Sequence, residues 1–141
     1  LIAVVYVVFT ILFLVFYVFY SILLGKVFKK AGVSSYIAWI PVYNNWKLLE
    51  IGGQKGYWAV VGLVPFVSII SLIFELVSIH NINKKLGYDA TMTMLAILLA
   101  PVWLIIIGLG KNTWNESLGD PRLDTPDFTP AGPAPQSPAQ V

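Results

Sequence analysis

The first 24 residues, LIAVVYVVFTILFLVFYVFYSILL, carry no charged side chain, and only Thr10, Ser21 and three tyrosines interrupt the apolar run. As a helix, such a segment reaches about 36 Å, enough to cross a hydrocarbon layer of about 30 Å with some tilt. It is followed by GKVFKK, where Lys26, Lys29 and Lys30 form the densest basic cluster of the chain. Under the positive-inside rule that end is cytoplasmic and the N-terminus faces outward. The uncharged run is too long for a signal peptide and no small-residue cleavage site follows it, so it reads as a retained helix.

Composition agrees with lipid as the solvent. The chain is 57% hydrophobic and 11% charged over 141 residues, where a soluble domain needs roughly a quarter of its residues charged. Cysteine is absent, which removes disulfides and thiolate chemistry. A net charge of +2 without any long basic run gives no basis for binding nucleic acid. His80 is the sole histidine, and without a second histidine or a cysteine it makes no metal site. Nothing in the sequence calls for a cofactor.

The expected fold is all-α and integral to the membrane. A membrane domain covers residues 1–112, with spans at about 1–24, 57–80 and 90–109 and kinks at Pro65 and Pro101. Residues 34–52 are too interrupted to span. Tyr36, Trp39, Tyr43 and Trp46 recur there at helical spacing, and Pro41 divides the segment into two short pieces. Aromatic rings with a polar edge favour the headgroup layer, so this is an interfacial anchor, joined by Tyr57 and Trp58. A re-entrant segment lining a cavity is the alternative. Residues 113–141 form a polar, Pro-rich tail that should be disordered unless a partner orders it. Three crossings put residues 25–56 and the tail inside and the turn NKKLGYD outside. Five lysines then lie inside against two, Lys84 and Lys85, that argue the other way. No internal repeat is evident.

One carboxylate falls within these spans. Ser68, Ser71, Glu75 and Ser78 repeat at three, four and three, with Asn81 and Lys85 continuing the line, so all share one helical face. An ionised carboxylate at mid-bilayer costs about 2.5–3.5 kcal/mol. The apolar residues around it contribute roughly −4 to −8 kcal/mol, so the helix still inserts. A polar stripe on a membrane helix should face protein or water, which makes this one a helix-packing or partner seam. Proton or ion handling is the rival role. GGQKG lacks the spacing and the Ser/Thr of a phosphate loop. The small-xxx-small pairs Ser21/Gly25 and Ala96/Ala100 are weak packing signals.

The segments VFKKAGVSSYIAWIPVYNNWKLLEIGGQKGYW, LVPFVSII, KKLGY and IIIGLGK resemble a family of small bacterial multi-pass membrane proteins of unknown function. Its marks are a Lys-Ala-Gly turn and an Ile-Pro-hydrophobic-Tyr-Asn motif, and some members look like N-terminal extensions of signal-peptidase-like proteins. The likeness covers about residues 27–111 and centres on Ile40, Pro41, Val42, Tyr43 and Asn44. Ser68 stands where that pattern has asparagine, and Glu75 is no part of it. The resemblance implies a fold and a bacterial cytoplasmic membrane, and it supplies no reaction. The chain is therefore expected to be a non-catalytic accessory subunit of a larger membrane complex, docking on other subunits through its helices and its tail. The alternative is a small transporter or ion conductor that uses Glu75 and the serines.

Overall fold

The charge-free run does form one long helix, α1 (Ile2–Lys30). In the computed structural model, which describes residues 1–120 and Arg122, α1 is the one helix long and apolar enough to cross a membrane. It ends where Gly32 takes a φ of 81°, Gly32 N–H bonding Lys29 O and Val33 N–H bonding Phe28 O. That is the Schellman arrangement, which a residue without Cβ adopts freely. We call this the basic end of α1.

Beyond it the chain makes three excursions, and each starts from and returns to the basic end. In the first, a 3-10 turn (Ser35–Trp39) runs back along α1. A Cβ at Gly25 would lie 3.1 Å from Ser35 O, and the Tyr17 hydroxyl donates to Trp39 O. The chain then reverses at Pro41 and Val42 and returns as α2 (Tyr43–Ile51).

The second excursion leaves through the short α3 (Trp58–Val61), reverses at Pro65 and Phe66, and returns as α4 (Ser68–Lys85). Its limbs are tied by Ser71 Oγ donating to Trp58 O and by the Trp58 and Phe74 rings, stacked with centroids 4.2 Å apart.

The third is α5 (Ala90–Leu98) followed by α6 (Ala100–Leu109). Asp89 caps α5 by accepting from Thr91 N–H at 3.0 Å. Leu99 leaves the helix at φ −139° and ψ 65°. Pro101 lacks the N–H a continuing helix would need, so α6 starts afresh with Trp103 N–H bonding Leu99 O. Thr93 of α5 and Trp103 of α6 both bond Asn83, at 3.2 and 2.7 Å. At the mouth of the hairpin, Tyr88 Oη would lie 3.2 Å from a Cβ on Gly110.

The expectation of an all-helical fold holds among the described residues. The expected spans 57–80 and 90–109 are not single helices. Pro65 and Pro101 do not kink continuous helices as expected; the chain reverses at both. The turn at residues 83–89 consequently lies at the basic end, where Asn112 Nδ2 donates to Leu86 O and Lys30 Nζ to Gly110 O, and not across from it. Of the tail, residues 113–120 fold back on α4 around a 3-10 turn (Glu116–Leu118). The Pro-rich remainder, Arg122 apart, lies outside the described residues.

Burial follows this arrangement. Leu24, Val27, Phe28, Ile82, Leu86 and Ile107 are each at most 1% exposed and all lie towards the basic end. The other half turns its apolar side chains outward. Residues 1–16 of α1 are exposed on every side, as are Leu63, Phe66 and Leu98 at the hairpin tips.

Candidate functional site

The polar line of α4 divides into two halves with different surroundings. In the lower half, Ser78, Asn81 and Lys85 meet the C-terminus of α2, whose last carbonyls have no partner inside their own helix. Ser78 Oγ donates to Leu48 O at 2.7 Å, Asn81 Nδ2 to Gly52 O at 3.0 Å, and Lys85 Nζ to Ile51 O at 3.0 Å. This fit needs Gly52, because a Cβ there would fall 1.8 Å from Ser78 Oγ.

Lys85 has no exposed side-chain surface, and it also pairs with Glu116. Glu116 accepts from Trp114 Nε1 at 2.7 Å, and the Trp114 ring centroid lies 5.8 Å from Lys85 Nζ. Asn81 Oδ1 receives Asp120 N–H at 2.8 Å. The first residues of the tail are thus bound to the chain's own α4. Asp120 is held well below the usual carboxylate range, first by its side-chain bond to Arg122 and then by the Arg122 backbone N–H.

In the upper half, Ser68, Ser71 and Glu75 line a pocket of about 330 Å³ together with Asn45 of α2 and Gly62 beside α3. The Ser71 proton is committed to Trp58 O. Glu75 and the side chains of Ser68 and Asn45 have no hydrogen-bond or ion-pair partner among the described residues.

The other expected residues are more scattered. Lys30 reaches across to the end of α6, donating to Ile107 O and Gly110 O at 2.7 and 2.8 Å, while Lys26 and Lys29 point outward. Tyr36, Trp39, Tyr43 and Tyr57 are exposed. Trp46 is tucked against Gly56 and donates to Glu50, and Trp58 is stacked on Phe74. His80 turns to Thr93 at 2.8 Å and not to Glu75. Among the described residues no three His, Cys, Asp or Glu side chains come together as metal ligands would.

Two buried asparagines hold the assembly, Asn44 of the Ile-Pro-hydrophobic-Tyr-Asn motif and Asn83, to which the sequence assigned no role. Asn44 is buried and donates to Ala38 O at 3.2 Å, which closes the first hairpin. Asn83 is fully buried and joins α4 to both limbs of the third. A buried asparagine inside a hydrophobic context was the available signal, since such a group must find partners.

No curated protein and no solved structure matches the chain. Residues 36–117, which hold α2 to α6 and the Glu116 clasp, match a family of unknown function (DUF5684), and the chain belongs to that family.

Proposed function

We propose that this protein is a non-catalytic accessory subunit of a bacterial membrane complex, crossing the cytoplasmic membrane once through α1 and entering it from one side with its hairpins. The observation that carries the reading is the separation of charge from exposed apolar surface. Lys26, Lys29, Lys30, Lys55, Lys84, Lys85 and Lys111 gather at the basic end, and the hairpin tips at the other end are apolar and exposed. Three full crossings would leave Lys84 and Lys85 on the wrong side of the positive-inside rule. Re-entrant hairpins put them with the rest, in the cytoplasm, with the N-terminus outside. Backbone at membrane depth is tolerated where helices or packed protein satisfy it.

The accessory role is supported by the outer part of α1. Beyond the hairpin tips no other part of the described residues packs on it, so other subunits are the natural source of helix contacts there. A conducting path through both leaflets would need walls in both, and in the outer half the described residues supply a single helix. The transporter reading therefore requires several copies.

The experiment has two parts. Single cysteines at Ser117, Lys111 and Gly87 should all be labelled by a membrane-impermeant reagent from the cytoplasmic face only. Purification in mild detergent should bring a stoichiometric membrane subunit, which is lost when residues 1–16 are replaced by a generic leucine-rich helix. Labelling of Gly87 from the outer face defeats the topology. Purification of the intact chain alone defeats the accessory role.

A further inference from the structure

The upper pocket on α4 has the composition of a ligand site. It lies between α2, α3 and α4, measures about 330 Å³, and is lined by Asn45, Ser68, Ser71 and Glu75. Asn45, Ser68 and Glu75 are each partly exposed, and their side chains share one concavity without a hydrogen-bond or ion-pair partner among the described residues.

Its charge is one-sided. Glu75 offers two acceptor oxygens and a negative charge, and Asn45 and Ser68 each add an acceptor oxygen beside their own N–H or O–H donors. Ser71 has already given its proton to Trp58 O, so towards a ligand it presents lone pairs only. No lysine or arginine among the lining residues balances the carboxylate. An acceptor-rich pocket with one negative charge is complementary to a group with three N–H donors and one positive charge, which is a primary ammonium.

The rim indicates where that group comes from. Leu63, Ile69 and Leu72 border the pocket and are 67%, 65% and 52% exposed, so it opens on the apolar surface. Glu75 lies within electrostatic range of Tyr20, which is about 9 Å along α1 from Lys26. A lipid headgroup settled slightly below its neighbours reaches that level. We infer that the pocket between α2, α3 and α4 binds the primary ammonium of an aminophospholipid headgroup, with Glu75 as its counter-charge.

The test uses the full chain in nanodiscs of phosphatidylglycerol supplemented with phosphatidylethanolamine or with phosphatidylcholine, whose quaternary nitrogen has no N–H. Lipids retained on the released protein are read by native mass spectrometry. Wild type should retain the ethanolamine lipid at least about fivefold over the choline lipid, a preference of roughly 1 kcal/mol. Glu75→Gln keeps the shape and should bring the ratio close to one, and Asn45→Ala should lower it. Melting temperatures confirm that both variants fold, and Ser117→Ala should leave the ratio unchanged. Equal ratios in wild type and Glu75→Gln overturn the site. Free ethanolamine raising the melting temperature of wild type in discs without aminolipid, with no lipid preference, overturns the lipid as the source.

Discussion

Val42 and Phe66 occupy equivalent places in two copies of one turn. Each follows a proline, and each has a φ of 68°. Tyr43 N–H bonds Pro41 O at 2.7 Å, and Val67 N–H bonds Pro65 O at 2.9 Å. One residue later the chain closes on the position before the proline, Asn44 to Ile40 at 2.9 Å and Ser68 to Val64 at 3.0 Å. A γ-turn with positive φ is rare and strained, the more so at a β-branched residue. Reversing the chain sharply at an apolar tip, in both cases directly before a helix, is what this strain achieves.

The strain gives the first prediction. Phe66 is 90% exposed, so truncating it removes little packing within the chain. Relief of a strained left-handed residue is worth about 1–3 kcal/mol, against roughly 0.5–1 kcal/mol of added glycine entropy. Phe66→Gly should therefore stabilise the protein by about 1 kcal/mol, read as a higher denaturant midpoint in micelles. A lower midpoint would show that the ring is held by something the turn geometry does not reveal.

Lys85 and Glu116 give the second. Lys85 is wholly buried and Glu116 is 21% exposed, so the pair is screened less than one at the surface. Removing one member of a buried pair is destabilising by about 3–5 kcal/mol, whereas an apolar replacement of both is often close to neutral. Because Glu116 keeps some contact with water, Glu116→Ala should be less damaging, at about 2 kcal/mol. Adding Lys85→Met should recover at least about 1 kcal/mol of that loss. A double variant whose losses simply add would mean the two charges do not sense each other.

The sequence made the helical class legible, because apolar runs of this length with so few charges have no other stable form in lipid. It also placed Ser78, Asn81 and Lys85 on one face, the face that meets α2. What it concealed was direction. A proline inside an apolar run is compatible with a kink or a reversal, and only partners distant in sequence decide between them. Trp58 meeting Ser71, and Asn83 meeting both Thr93 and Trp103, are such partners. The pocket was half legible. Glu75 and Ser68 stood out from their apolar neighbours, but Asn45 joins them only because the first hairpin brings α2 alongside α4. The repeated turn was hidden because IPVYN and VPFVS share little beyond proline.

The contact between Gly52 and Ser78 supplies the third prediction. A Cβ at Gly52 would lie 2.5 Å from Ser78 O and 2.6 Å from its Cα, and backbone atoms cannot swing aside as a side-chain tip can. Overpacking of this kind is destabilising by typically 1–3 kcal/mol. Gly52→Ala also separates Ser78 and Asn81 from the α2 carbonyls, so a loss of at least about 3 kcal/mol is expected. Gly87 is the control. It has a φ of 84°, but a Cβ there meets nothing nearer than Asn112 Nδ2 at 3.8 Å. Gly87→Ala should show only the backbone penalty of about 1 kcal/mol. Similar losses in the two variants would mean that α2 and α4 are not in close contact.

Asp120 allows a prediction in pH. Its carboxylate is bound by the Arg122 guanidinium at 2.8 and 3.0 Å and lies 3.5 Å from Lys84, which together depress its pKa. A carboxyl depressed in the folded state contributes stability above its unfolded value, near 3.9, and loses it as pH falls through the folded value. The contribution is therefore intact throughout the neutral range, and the denaturant midpoint should gain nothing from this group between about pH 5 and pH 8. A carboxyl carbon titration by NMR should find Asp120 still ionised at about pH 3, where an ordinary aspartate is largely protonated. Arg122→Ala should move the titration back up towards the ordinary value. Since the Asp120 N–H bond to Asn81 does not involve the carboxyl, that variant should leave the tail seated on α4, seen as unchanged amide exchange at Asp120. An Asp120 midpoint near 4 in the wild-type protein would show that Arg122 does not hold the carboxylate in solution.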